Sequence, residues 1–190
     1  MNLLFATANL HKVEEAQNIL GKEITLLTPT DFGYLKEVPE SGDTLEENAV
    51  QKARTIWNAL GQNCFADDTG LEVFALNGAP GVYSARYAGV HVNMEANMAK
   101  LLRELAPHPN REAQFRCVIA LILEGKEYLF EGSIQGSILP DSQGTGGFGY
   151  DPLFLPHGHA QTFACMSSHH KNAISHRGIA LQKLKHFLIP

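Results

Sequence analysis

A strand-length apolar run opens the chain at Leu3 to Ala6 and stops at Thr7-Ala8-Asn9. There the apolar residues switch to helical spacing. From about His11 to Leu20, the residues Val13, Ala16, Ile19 and Leu20 share one face, and Gly21 supplies a stop. Ile24 to Leu27 returns to strand. Residues 36–44, with Pro39 and Gly42, read as a loop. Thr44 caps a helix to about Leu60, with Glu47 as capping-box partner and Gly61 at its end. Cys64 to Ala66 is a second buried strand, expected to deliver Asp67-Asp68-Thr69-Gly70, with Leu71 to Leu76 continuing as strand or extended chain. Asn77 to Gly81 is a turn region, and Asn93 to Leu105 a helix stopped by Pro107 and Pro109. Gln114 to Leu123 and Glu127 to Ile138 form a strand pair around Glu124-Gly125-Lys126. Residues 140–149 are glycine-rich, and one final helix is expected from about Asn172 to Leu188. Helices and strands alternate around an embedded hairpin. The class is therefore α/β with a mixed central sheet and flanking helices.

The chain's 190 residues suit one domain spanning 1–190, or two lobes sharing a core. A chain of this size buries about 70% of its unfolded surface and needs no staples. The formal charge of −5 argues against non-specific nucleic-acid binding but allows a small anionic substrate in a locally basic pocket. Cys64, Cys117 and Cys165 are sparse and lack CxxC spacing, which reads as reduced thiols. The N-terminal residues lack the pattern of a signal peptide, and no apolar run approaches the ~18 residues of a membrane span. A cytosolic location without membrane attachment is expected.

Several clusters carry chemistry. The turn Thr7-Ala8-Asn9-Leu10-His11-Lys12 leaves a strand and opens a helix, so it presents backbone N–H groups and a positive dipole end. Lys12 adds a point charge, making a phosphate cradle. Taken alone, an Asn9 cap beside a solvated lysine is the plainer reading. Asp67 and Asp68 repel one another unless a cation relieves them, and a hard oxygen-seeking ion such as Mg²⁺ does so. Glu40, in the loop, is a candidate further ligand, whereas Glu46 and Glu47 read as first-turn helix acids. A solvated turn is the alternative for the acid pair.

Gly144-Thr145-Gly146-Gly147-Phe148-Gly149-Tyr150-Asp151-Pro152 contains GxGxxG, but Pro152 disfavours the helix that a dinucleotide fingerprint needs. It is a loop that lets backbone approach a flat ligand. Phe148 and Tyr150 either stack on a base or fill core, and Asp151 is placed to bond a base edge. Lys171 and Arg177 lie near a helix start, where the dipole disfavours cations, so a ligand is one account of them and solvation the other. Lys52 and Arg86 extend the basic set. His157, His159, His169 and His170 lack metal-ligand spacing, and His176 suits base recognition better than metal.

Nearly the whole chain resembles the Ham1-like inosine/xanthosine triphosphate pyrophosphatase family. The carriers are Thr7 through Lys12, Glu40 to Asn48 with Ala49, Ala66 to Leu71, Gly78 to Tyr87, Gly144 to Pro152 and Lys171 to Gly178. The resemblance implies two lobes around a substrate cleft and a homodimer. It implies Mg²⁺-dependent hydrolysis of ITP, dITP and XTP to the monophosphate and pyrophosphate, which cleanses the nucleotide pool. By position it makes Asp68 metal ligand and base and Glu40 a further ligand; Asp67 is a supporting acid that helps them hold the metal. Thr7 to Lys12, Lys52 and Thr69 handle phosphates. Phe148, Gly149, Tyr150, Asp151, Lys171, His176 and Arg177 handle the nucleotide, chiefly its base. Two departures stand out: Ala8 replaces the family's frequent glycine or serine, and His169-His170 replace frequent acids. The rival readings are a pyrophosphatase for pyrimidine or modified nucleotides and a non-catalytic nucleotide-binding regulator.

Overall fold

The structure, a computed structural model, describes residues 1–89 and 93–189. In chain order, β1 (Asn2–Phe5) leads to α1 (Leu10–Leu20), β2 (Thr25–Leu27) and α2 (Leu45–Leu60). Then come β3 (Cys64–Val73), α3 (Met94–Leu105), β4 (Glu112–Leu123), β5 (Lys126–Ile138) and β6 (Phe154–Pro156). Two helices, α4 (Ser168–Ile174) and α5 (His176–Leu188), close the chain. The six strands hydrogen-bond in the order β2-β1-β3-β4-β5-β6. β1 is parallel to β2 and β3, while β5 and β6 are antiparallel, so the sheet is mixed as the alternation predicts. The tight β4–β5 turn places Glu124 and Gly125 at φ 50° and 77°, the left-handed pair that a two-residue hairpin requires.

The chain packs as two compact units. Unit 1 comprises Met1–Asp68, Cys117–Gly132 and Arg177–Pro190. Unit 2 comprises Thr69–Arg116 and Ser133–His176. In unit 1 the strand period of two sorts the core. Leu3, Phe5, Phe65, Cys117, Ile119 and Leu121 pack with Ala16, Ile19 and Leu20 of α1 and with Ala180, Leu181 and Leu184 of α5. Phe5 and Phe65 stack with centroids 4.3 Å apart. The alternate residues face α2, where Cys64 Sγ donates to the Ala53 carbonyl at 3.3 Å. Each fully buried Leu, Ile or Phe contributes about 1.5–3 kcal/mol. Unit 2 has its own core, in which Phe115, Phe154 and Phe163 cluster with Leu71, Leu101 and Leu105.

Two expectations are corrected here. The second strand does not end at Ala66: β3 runs unbroken to Val73, so Asp67 and Asp68 lie within a strand rather than where the chain leaves the sheet. The last helix is also two. Ser175, extended at φ −70° and ψ 155°, separates α4 from α5. No helix among the described residues is long and apolar enough to cross a membrane.

Candidate active site

The helix α2 buries a stripe of Leu45, Asn48, Ala49, Lys52, Ala53 and Ile56. The spacing is that of an amphipathic helix, yet two of its core positions are polar. Thr44 caps the helix by accepting from the Glu47 N–H at 3.1 Å. Glu47 does not close the expected box onto Thr44. Its carboxylate accepts from the Asp43 N–H at 2.7 Å, because the preceding loop runs along the helix.

Because neighbours on a strand point to opposite faces, Asp67 and Asp68 have different surroundings. Asp67 faces α1 and α5. Its Oδ1 accepts from Lys12 Nζ at 2.8 Å and its Oδ2 from Arg177 Nε at 3.1 Å. Burial pushes this carboxyl up, but Lys12 and Arg177 outweigh it and hold it well below the usual carboxylate range. Arg177 also donates from Nη1 to Glu15 at 2.5 Å. Burial opposes the charge on Arg177, and Asp67 and Glu15 more than restore it, raising its pKa further.

Asp68 faces α2. Its Oδ1 accepts from Lys52 Nζ at 3.0 Å and its Oδ2 from Asn48 Nδ2 at 3.1 Å. Here burial wins against Lys52, and the carboxyl is raised. Lys52 Nζ also donates to Glu40 Oε1 at 2.6 Å. Burial lowers the Lys52 pKa, and Asp68, Asp67 and Glu40 together more than reverse this. Glu40 and Asp68 thus close on one cation. No cluster of three or more His, Cys, Asp or Glu side chains is placed to hold a metal among the described residues. Two carboxylates nonetheless fit Mg²⁺, which is commonly held by one or two carboxylates, waters and substrate phosphates.

The Thr7–Lys12 turn opens α1 as expected. Asn9 caps it, accepting from the Lys12 N–H at 3.3 Å, and its own N–H donates to Thr7 Oγ1 at 3.1 Å. Ala8, Asn9, Leu10 and His11 are exposed, and Ala8 is not among the residues with positive φ. The extra methyl is therefore accommodated without backbone strain.

In unit 2 the glycine loop is held by Asp151, whose Oδ2 accepts from the Phe148 N–H at 2.9 Å and from Lys171 Nζ at 2.7 Å. Lys171 also sits 4.8 Å from the Phe148 ring centroid. Tyr150 fills core, and its hydroxyl donates to the Ser84 carbonyl at 2.8 Å. His176 is buried and stacked on Phe115, with centroids 4.6 Å apart. Gly149 and Thr69 are half-buried, and Arg86 is exposed at the end of a short helical turn, Gly81–Arg86. His169 and His170 are exposed, and the His170 ring meets His159 edge-on.

Unit 1 therefore brings together Lys12, Glu40, Lys52, Asp67, Asp68 and Arg177. Unit 2 brings together Phe148, Asp151 and Lys171. Arg177 pairs with Asp67 and Glu15 of unit 1. Two participants were not singled out from the sequence, Glu15 and Asn48. Asn48 occupies a position on the buried stripe of α2 where an apolar residue is expected, and that was the available signal, whereas Glu15 is half-buried beside Ala16 and gave none.

Residues 3–187 match the sequence model of the Ham1 family. A dITP/XTP pyrophosphatase of Christiangramia forsetii is 50% identical over 188 residues, covering 99% of each chain. That of Flavobacterium johnsoniae is 50% identical, covering 97% of this chain and 96% of its own. The Staphylococcus aureus Ham1 protein has a solved structure similar to this one at a TM-score of 0.90 and 39% identity, covering 99% of this chain and 98% of that chain. A nucleoside-triphosphatase, dITP/XTP pyrophosphatase, of Mycobacterium abscessus gives 0.80 at 43% identity, covering 97% and 98%.

Proposed function

The chain belongs to the Ham1 family, and on that premise we propose that it hydrolyses the non-standard purine nucleoside triphosphates ITP, dITP and XTP to the monophosphate and pyrophosphate. It is a nucleoside triphosphate pyrophosphatase, a hydrolase of phosphoric anhydrides. Mg²⁺ as cofactor, a homodimer and a cytosolic setting complete the reading. The observation that carries it is the convergence of Glu40 and Asp68 on the Lys52 ammonium, at 2.6 and 3.0 Å.

Asp68 and Glu40 would hold Mg²⁺, and when bound the ion withdraws charge from phosphate oxygens. Asp68 orients a water, or takes its proton, for in-line attack on the α-phosphorus. A new P–O bond forms there as the anhydride bond breaks and pyrophosphate leaves. Lys12 and Lys52 stabilise the charge on that leaving group, with Thr69 and the Thr7–Lys12 backbone donating to phosphate oxygens. Asp67, with both oxygens engaged, anchors Lys12, and Arg177 positions Asp67. Phe148, Gly149, Tyr150, Asp151, Lys171 and His176 handle the base, and Arg86 adds basic charge. Donors aimed at a 6-oxo group accept inosine and xanthine but meet adenine's amino group donor to donor, at about 1–3 kcal/mol for each donor left unpaired.

Product analysis tests the reading. Digestion of dITP with Mg²⁺ yields monophosphate and pyrophosphate, and Asp68→Asn lowers turnover about 10²–10⁴-fold while the fold is retained. Diphosphate plus phosphate as products, or faster hydrolysis of dUTP or dTTP than of dITP and XTP, overturns it.

A further inference from the structure

The loop that carries Glu40 is fastened to α2 by side chains at three consecutive backbone N–H groups. Ser41 N–H donates to Gln51 Oε1 at 2.9 Å, Gly42 N–H to Asn48 Oδ1 at 2.8 Å, and Asp43 N–H to Glu47 Oε2 at 2.7 Å. Gln51 and Glu47 serve the loop. Asn48 also touches the reaction's proposed base, because its Nδ2 donates to Asp68 Oδ2 at 3.1 Å. Its orientation is unambiguous: the Gly42 N–H can only donate and the Asp68 carboxylate can only accept, so the amide oxygen and nitrogen cannot be exchanged.

Asn48 is 3% exposed, so each end of the amide is committed away from water. It lies four residues before Lys52 on the same helical stripe, and together the two grip both oxygens of Asp68. The approach of the loop is close. A Cβ on Gly42 would lie 2.6 Å from Glu47 Cβ and 3.0 Å from Asn48 Oδ1, so only glycine fits there without displacing the amide. One buried side chain therefore joins the segment bearing Glu40 to the carboxylate of Asp68.

We propose that Asn48 is a positioning residue for the hydrolysis, holding the Asp68 carboxylate and the Glu40 loop in one geometry. The proposal rests on the reading of Asp68 as base and metal ligand. Asn48→Ala should lower kcat for dITP about 10–100-fold, with KM within about threefold of the parent chain. Gln51→Ala loosens the same loop at Ser41 without touching Asp68, and should leave kcat within about twofold. Equal losses in both variants, or an unchanged kcat in Asn48→Ala, overturn the proposal.

A second measurement needs neither turnover nor a stable Asn48 variant. In the parent chain, the Asn48 side-chain amide signals in a ¹H–¹⁵N spectrum should be protected from solvent exchange. Asp68→Ala should shift them and speed their exchange, and signals that stay in place overturn the proposal. A parent chain that releases no pyrophosphate from dITP defeats the functional reading instead, and the spectrum still decides whether Asn48 holds Asp68.

Discussion

Arg177 Nε lies 3.1 Å from Asp67 Oδ2, and both side chains are almost wholly buried. Arg177 is among the largest fully buried side chains of the described residues. Taking both charges out of water is expensive, and the pair is tolerable because Glu15 and Lys12 complete it.

Removing one member should therefore cost more than the pair is worth. Arg177→Leu removes the guanidinium from Glu15 and Asp67, and should lower stability by about 3–5 kcal/mol. Urea denaturation at pH 7 measures it. A midpoint equal to that of the parent chain would show that the buried acids find other partners or take up protons at little cost.

The two neighbouring acids should affect stability in opposite directions. The Asp67 carboxyl is lowered on folding from its ordinary value of 3.8, so its contribution is complete above that value and is lost as pH falls through the folded pKa. Asp68 is raised on folding, so the cost of its ionisation builds as pH rises above 3.8 and is complete above the folded value. In EDTA at pH 7, Asp67→Asn should lose more stability than Asp68→Asn, because burial already opposes the Asp68 charge and Glu40 still pairs Lys52. The difference should shrink as pH is lowered towards 3, where the stabilising contribution of Asp67 fades. Urea midpoints from pH 3 to 7 test this, and equal losses for the two variants contradict it.

The order of elements was legible because each is locally encoded: Gly21 and Gly61 end helices, Thr44 and Asn93 cap them, and Glu124-Gly125 makes the hairpin. The course of β3 was not. Adjacent aspartates disfavour a strand on local grounds. What keeps Asp67 there comes from Lys12 and Arg177, 55 and 110 residues away in sequence, and Asp68 is held by Asn48 and Lys52 of α2. The break at Ser175 has neither Gly nor Pro to announce it, and beyond it Arg177 pairs with Asp67. The cations and acids of the candidate site could be picked out by residue type. Their pairing is set by which face of β3 each helix covers, and the sequence does not print that.

Thiol reactivity should single out Cys165. Cys64 is buried and its pKa is pushed up to about 12, so almost none of it is thiolate at pH 8. Cys117 is buried as well, whereas Cys165 is exposed. Iodoacetamide at pH 8 should label one cysteine in the native chain and all three after unfolding in guanidinium. Peptide mapping identifies the site, and rapid labelling of Cys64 in the native state would mean that β3 opens from α2.

Gly147 should tolerate no side chain. Its φ is 69°, and a Cβ there would overlap the Asp151 carboxylate. Both contributions act in Gly147→Ala. The left-handed backbone costs about 1–3 kcal/mol in a non-glycine residue. Asp151 must also withdraw, which loosens its hold on the Phe148 N–H and on Lys171. A buried lysine left without its carboxylate is a further cost. The expected outcome is a lower urea midpoint together with a KM for dITP raised about tenfold, while kcat changes less because the acids of unit 1 are untouched. Gly149→Ala is the control. Its φ is 65°, but a Cβ there meets nothing within 4 Å, so it bears the backbone cost without displacing Asp151 and should raise KM less than Gly147→Ala does. Equal KM values for the two variants would show that backbone strain, and not the Asp151–Lys171 pair, governs how the loop receives a nucleotide.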